Sequence, residues 1–204
     1  MARYQLALQD FFELYGIDSE TANQMVDELV TERQKLTMGW MRRDRLSGDI
    51  TDAEARARQQ SLEAIEEAVF AEYYEAYKLY KPKERTHATV ADFSAALDEP
   101  LSIVIRQQIV DIMYDTELRQ APLTGDPAPT TLRSGFRNAD ITAMQANLER
   151  RVSIDTDVLN QTETLLTRAQ QTALEARLAR QRERSELFIR MMELQRDDSG
   201  PSGP

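Results

Sequence analysis

Apolar residues recur at helical spacing along most of this chain, and the pattern is interrupted at recognisable caps and stops. The first predicted helix runs over Arg3–Tyr15 and ends at Gly16, a residue suited to a left-handed C-terminal turn. Asp18 or Ser19 then caps a second helix, which is predicted to end near Leu46. The start of the chain is therefore predicted to be a pair of helices joined by a tight turn.

A capping box opens the third predicted helix. Thr51 and Glu54 have the residue types and spacing at which each side chain bonds a free backbone amide of the first turn. This helix is predicted to continue to about Tyr80 and to stop at Pro82, because proline cannot continue a helix interior. A short helix is predicted to follow over 89–97.

Pro100 suits the first turn of the next helix, which is predicted to reach Gln120. Its first apolar residues, at 101–105, also fit a short strand, but the continuation of the pattern at 3.6 spacing favours a helix. We expect a buried face on this helix, formed by Leu101, Val104, Ile105, Ile109 and Ile112 and widened by Ile103, Val110 and Met113.

The composition changes after this helix. Three prolines and two glycines over 121–137 predict an irregular linker or arm. Strong helix formers over 138–196 predict one long C-terminal helix, with an alternative break near 152–157 where Ser153 or Asp155 fits an N-cap. Residues 197–204 have the composition of a flexible tail. The predicted fold class is all-α, with a helical bundle over 1–120 preceding the arm and the long helix.

The end of the long helix has an unusual apolar tip. Residues 168–186 are mostly polar, as in a solvated spacer helix, whereas six of the eight residues over 187–194 are apolar. Such a tip predicts a helix that docks on a partner; the alternative is that it folds back onto its own body. The residues expected to bind a partner are Leu187, Phe188, Met191, Met192 and Leu194.

Aromatic residues form a second candidate surface. Tyr73, Tyr77 and Tyr80 recur at helical spacing, and Trp40 lies in the second predicted helix. This spacing predicts either core packing or a subunit interface. The lysines that follow these tyrosines leave open a third interpretation, the stacking of single-stranded nucleic acid.

Composition excludes several kinds of chemistry. The 204 residues include no Cys and a single His, His87, so disulfides, zinc–thiolate sites, iron–sulfur clusters and metal centres with two His ligands are excluded. No glycine-rich phosphate loop is present, and the many carboxylates have no neighbouring nucleophile. We therefore predict no catalytic, cofactor or metal residue and expect a protein that is not an enzyme. His87 lies in a polar segment, 83–89, and is expected to be solvated.

The net charge of −10 is unevenly distributed along the sequence. Residues 1–132 contain 14 basic and 24 acidic side chains, whereas residues 133–204 contain 11 of each. An acidic body repels nucleic acid, so such binding would depend on Arg42–Arg45 or on the C-terminal arginines. With no apolar stretch near the roughly 18 residues of a membrane span, and no signal-like start, we expect a soluble protein, cytoplasmic or within a virus particle assembled there.

These patterns together predict a non-enzymatic structural or assembly protein, a repeated or adaptor subunit that forms homo-oligomers or larger assemblies through helix-mediated contacts. The layout is similar to that of connector, scaffolding or internal proteins of tailed-phage particles, a likeness of layout and not of any motif. The alternative is a helical regulatory or nucleic-acid-binding protein that uses the arginine groups named above.

Overall fold

A computed structural model of the chain describes residues 2–47, 51–120 and 141–198, and every regular element in these ranges is helical. The all-α fold class is confirmed. The predicted arm at 121–137 and the tail beyond residue 198 lie outside the described residues.

The helices form two compact units. Unit 1 comprises residues 1–95 with 101–106, and unit 2 comprises residues 96–100 with 107–204. Residues 107–120 thus belong to the same unit as the C-terminal helices, whereas the predicted N-terminal bundle covers 1–120. The α-helices are α1 (Ala2–Leu14), α2 (Ser19–Ser47), α3 (Asp52–Phe70), α4 (Tyr74–Tyr80), α5 (Glu84–Ala95), α6 (Ile103–Arg119), α7 (Ile141–Thr162) and α8 (Arg168–Asp198).

The predicted caps of the first helices are confirmed. Gly16 has a φ of +63°, the left-handed conformation that ends α1. The Asp18 carboxylate accepts hydrogen bonds from the two backbone amides that follow Ser19, at 2.9 and 3.0 Å. Thr51 and Glu54 form the predicted capping box, with bonds of 3.3 and 2.9 Å.

The prediction of one continuous third helix is wrong. The helix is interrupted after Phe70, because Ala71 has a φ of +44°, which cannot continue a right-handed helix. Helix α4 ends at Tyr80, as predicted, but Pro82 does not end the helical path of the chain. It lies in a 3₁₀ turn, Lys81–Lys83, that leads directly into α5, and α5 starts at Glu84, well before the predicted start. Proline is tolerated there because a first turn does not need its missing amide.

Aromatic rings fill the core of unit 1 around Phe11 of α1. The Phe11 ring makes edge contacts with Phe70, Tyr77 and Tyr80, with ring centroids 5.5, 6.0 and 5.3 Å apart. Phe70 and Tyr77 stack at 3.8 Å. Helix α1 therefore contributes the centre of the core on which α3, α4 and α5 pack.

The predicted buried face of α6 is only partly correct. Leu101 and Ile109 are buried, but Val104 is exposed. Val110 and Met113, which were predicted to widen the face, are buried beside Ile109, so the face is centred nearer to these positions. The reason is that consecutive apolar residues almost encircle the start of α6, and periodicity alone does not select one side.

The C-terminal segment is two helices and not one. The chain stays helical through 152–157 and turns instead at 163–167. Thr167 starts α8 with a second capping box: its backbone amide donates to Gln170 Oε1 at 3.0 Å, and its hydroxyl accepts from the Gln170 amide at 3.3 Å. Helix α8 then runs back along α7, and Gln145 donates to Glu193 at 3.0 Å.

Candidate interaction surface

Helix α8 has apolar residues on two opposite sides. Leu178 and Ile189 are buried on the side that packs on α7. Leu187, Met191 and Leu194, named here the α8 row, are 59%, 55% and 66% exposed. At about 100° per residue these three positions lie within an arc of about 60°, facing away from Leu178 and Ile189. The fold of unit 2 therefore leaves a continuous apolar strip of α8 in water.

The other two residues of the predicted docking tip lie nearer to α7. Phe188 lines a shallow groove between α7 and α8 together with Met144, Leu148 and Ile189. Met192 is partly buried. The tip is thus divided: one side folds back onto α7, and the α8 row does not. That these residues bind a partner stays a prediction.

Two arginines extend the α8 row toward the N-terminus of the helix. Arg180 and Arg184 lie seven and three residues before Leu187, on the same side of the helix. Both are exposed, and neither forms an ion pair with another residue in the described ranges. The outward side of α8 is therefore cationic in its middle and apolar toward its end.

A buried carboxylate lies between α7 and α8 in unit 2. Asp155 of α7 is buried, with its oxygens 3.1 Å from Arg151 Nε and 3.5 Å from Arg182 Nε of α8. Arg151 also donates from Nη1 to Glu117 of α6 at 2.8 Å. Burial raises the pKa of Asp155, because the loss of hydration outweighs the attraction of the two arginines. These ion pairs connect α6, α7 and α8. None of the residues of the α8 row takes part in them.

The tyrosines of the second candidate surface are mostly in the core. Tyr77 and Tyr80 are buried in unit 1, so the core alternative is correct for them and they are not accessible at its surface. Burial raises the pKa of both phenols. Tyr73 is partly buried at the edge of the same cluster. Trp40 is partly buried, with the Arg58 guanidinium 5.2 Å from its ring centroid.

The expectation that His87 is solvated is wrong. His87 lies in α5, is buried, and stacks on Tyr80 with ring centroids 4.0 Å apart. Its Nδ1 atom is 3.2 Å from Asp10 Oδ2, and Arg106 Nε donates to Asp10 Oδ1 at 2.7 Å. Arg106 also donates to the Leu101 carbonyl at 2.8 Å. The sequence did not reveal this cluster, because the polar composition of 83–89 predicts a loop.

A second ionic cluster in unit 1 surrounds Glu66. This buried carboxylate pairs with Arg33 at 2.5 Å and with Lys81 at 2.7 Å. The Arg33 guanidinium also donates to the hydroxyls of Tyr4 and Tyr77, at 3.3 Å each. Both clusters join residues from several helices and have neighbours for their charged groups, which is typical of structural ion pairs.

The remaining candidate features add no site among the residues that the structure describes. Arg42–Arg45 fall in the last turns of α2, and their side chains lie outside the described part of the chain. Among the described residues no group of three or more acidic or imidazole side chains is placed to hold a metal ion. No helix in the described ranges is both long enough and apolar enough to cross a bilayer.

Comparison with known proteins found no matching family model, curated protein or solved structure. The surface of the molecule, above all the α8 row, is therefore the basis for inferring a function.

Proposed function

We propose that this protein is a structural or assembly subunit that joins a larger complex through its C-terminal helix, α8. The observation that supports this function is the α8 row, exposed on the side of the helix opposite to α7. A helix with apolar residues on two opposite sides is suited to packing on two neighbours, of which unit 2 supplies one. A repeated or adaptor subunit, as in a virion connector or scaffold, would use such a helix to contact the next protein.

The exposed apolar surface of the α8 row is large enough to contribute measurably to the free energy of association. Full burial of a Leu or Met side chain stabilises by about 1.5–3 kcal/mol. Because more than half of each side chain in the α8 row is still exposed, covering all three contributes on the order of 3 kcal/mol. That is roughly a 100-fold change in an association constant.

The test is to make the α8 row polar without weakening the helix. The triple variant Leu187→Gln/Met191→Gln/Leu194→Gln keeps side chains of high helix propensity at exposed positions. The matched control is Met38→Gln/Leu79→Gln, because these two residues are comparably exposed on helices of unit 1. Sedimentation equilibrium over a concentration series should show association for the natural chain and the control, and at least a tenfold weaker association for the triple variant.

Two results would contradict the proposal. One is a natural chain that remains monomeric at every concentration reached. The other is association that the triple variant retains in full, because the contact would then lie elsewhere. Far-ultraviolet circular dichroism of each variant checks that the helices are intact.

A further inference from the structure

Helix α6 also has an outward side within unit 2. Asp111, Asp115 and Leu118 are exposed, whereas Ile109, Val110 and Met113 are buried on the opposite side of the helix. Toward α7, Thr116 accepts a hydrogen bond from Gln161 at 3.2 Å. We name Asp111, Asp115 and Leu118 the α6 row. It presents two carboxylates followed by an apolar side chain.

The outward side of α8 has the same spacing with the opposite charges. Arg180, Arg184 and Leu187 are separated by four and then three residues, as are Asp111, Asp115 and Leu118. Alternating steps of four and three average 3.5 residues, the spacing at which two helices keep facing each other along a left-handed coiled coil. The two rows therefore match position by position: cation with anion twice, then leucine with leucine.

We propose that the outward side of α8 docks on the α6 row of a second copy of this chain, with the two helices parallel. Arg180 then faces Asp111, Arg184 faces Asp115, and Leu187 packs on Leu118. This inference rests on the assembly function proposed above and specifies the partner and register for Arg180, Arg184 and Leu187. In this register Met191 and Leu194 extend past Arg119, the last residue of α6.

The two rows do not meet within one copy, because each lies on the side of its helix opposite to the buried side. Helix α8 buries Leu178 and Ile189 toward α7, and α6 contacts α7 through Glu117 and Thr116. A second copy is therefore required to bring them together.

The charges also disfavour other occupants. A parallel pair of α8 helices would place Arg180 and Arg184 against the same arginines, which is repulsive. An uncharged partner would cover both guanidinium groups without supplying a carboxylate, which costs hydration that is not recovered. Between 177 and 194, Glu183 lies beside the outward side, whereas Glu186 and Glu193 lie toward the other side of the helix.

Pairing α8 with α6 is a heterologous contact, since the two surfaces differ. Such contacts do not close after two copies and generate rings or open filaments. Each copy would use its α8 to hold one neighbour and its α6 to be held by another. This is the arrangement expected of a repeated subunit.

Charge exchange between copies tests the pairing. The variant Arg180→Glu/Arg184→Glu and the variant Asp111→Lys/Asp115→Lys should each associate about tenfold more weakly than the natural chain, since two attractive pairs become repulsive. An equimolar mixture of the two variants should regain association, because each supplies the side that complements the other. A single chain with all four changes should associate like the natural chain.

Cysteine cross-linking tests the register, because the natural chain contains no Cys. A mixture of the Leu187→Cys and Leu118→Cys variants should form a disulfide-linked dimer under mild oxidation, and neither variant should do so alone. An antiparallel pairing would instead link Leu187→Cys to Gln108→Cys, which serves as the matched control.

Several outcomes would overturn the inference. Charge variants that associate like the natural chain, or a mixture that does not recover, would show that the rows do not pair. Leu187→Cys that cross-links to itself would indicate contact between two α8 helices. If the glutamine triple variant abolishes association while the charge variants do not alter it, docking through α8 stands and its pairing with α6 fails.

Discussion

The buried ion cluster around Asp10 offers a sharp test of what holds unit 1 together. In the variant Asp10→Asn the side chain keeps its shape but loses its charge. Asp10 is fully buried, with one oxygen 2.7 Å from Arg106 Nε and the other 3.2 Å from His87 Nδ1. An amide has only one oxygen and no charge, so it cannot accept hydrogen bonds from both sides as the carboxylate can, and it leaves the guanidinium of Arg106 without a buried counter-charge.

The expected loss of stability depends on the partners that Arg106 keeps in the Asp10→Asn variant. Breaking a buried ion pair by removing one partner typically costs 3–5 kcal/mol. Arg106 still donates to the Leu101 carbonyl and pairs with Glu13, whose side chain is about half exposed. We therefore expect a loss at the lower end of that range, about 3 kcal/mol in the free energy of unfolding of unit 1.

Urea unfolding followed by tryptophan fluorescence measures this loss. Trp40 is the single tryptophan of the chain and lies in α2 of unit 1, so the signal reports on that unit. The matched control is Glu13→Gln, which removes the more exposed partner of the same arginine and should cost less than about 1 kcal/mol. The cluster does not act as a buried ion pair if the free energy of unfolding of Asp10→Asn is within about 1 kcal/mol of the value for the natural chain. The same conclusion holds if both variants lose an equal amount of this free energy.

Three further predictions concern local features. Ala71→Gly should stabilise unit 1 by about 1 kcal/mol, because Ala71 has a positive φ, whereas Ala57→Gly at an exposed helical position should destabilise it by about as much; the same urea titration separates the two signs. Thr51→Ala should cost about 1 kcal/mol in that assay, since it removes the capping box of α3. Burial raises the pKa of Asp155 above its ordinary value of 3.8, so the ionised carboxylate opposes folding at neutral pH, and this cost is relieved as the pH falls through the raised pKa. Hydrogen exchange in α7 and α8 should therefore show Asp155→Asn at least as protected as the natural chain at neutral pH, with the difference shrinking as the pH falls; a marked loss of protection in the variant would contradict this sign.

Features that depend on neighbouring residues were predictable from sequence. Gly16, Asp18 and Thr51 act on backbone groups within a few residues, and the structure places all three as predicted. The break between α7 and α8 has an equally local signal, the capping box of Thr167 with Gln170. The alternative break at 152–157 relied on Ser153 and Asp155 as caps, but Asp155 is used within the helix to face two arginines.

Features that depend on distant residues were not predictable. His87 is buried because α5 places it against Asp10, 77 residues away, and Arg106 reaches the same carboxylate from 96 residues away. No periodicity in a single segment encodes such a meeting. The polar composition around His87 therefore indicated a loop where the structure has a helix.

The candidate surface on α8 was only partly predictable, because it also depends on the position of another helix. Apolar composition identified the tip of α8, but six apolar residues in eight surround the helix on all sides. Only the position of α7 decides that Ile189 is covered and that Leu187 and Met191 are not. The α6 row was hidden by the same ambiguity, because Val104 was assigned to the buried side.

The division into units changes what the net charge means. Unit 1 contains 13 basic and 18 acidic residues and unit 2 contains 12 and 17, so the acidic excess is shared and not confined to an N-terminal body. Within unit 2 the charges are sorted by helix side, with carboxylates outward on α6 and, outward on α8, guanidinium groups that form no ion pair with the described residues. The net charge does not show this separation of charges, although the separation determines which surfaces attract each other. An assembly built on these surfaces should therefore take its choice of partner and register mainly from the arginines of α8 and the aspartates of α6.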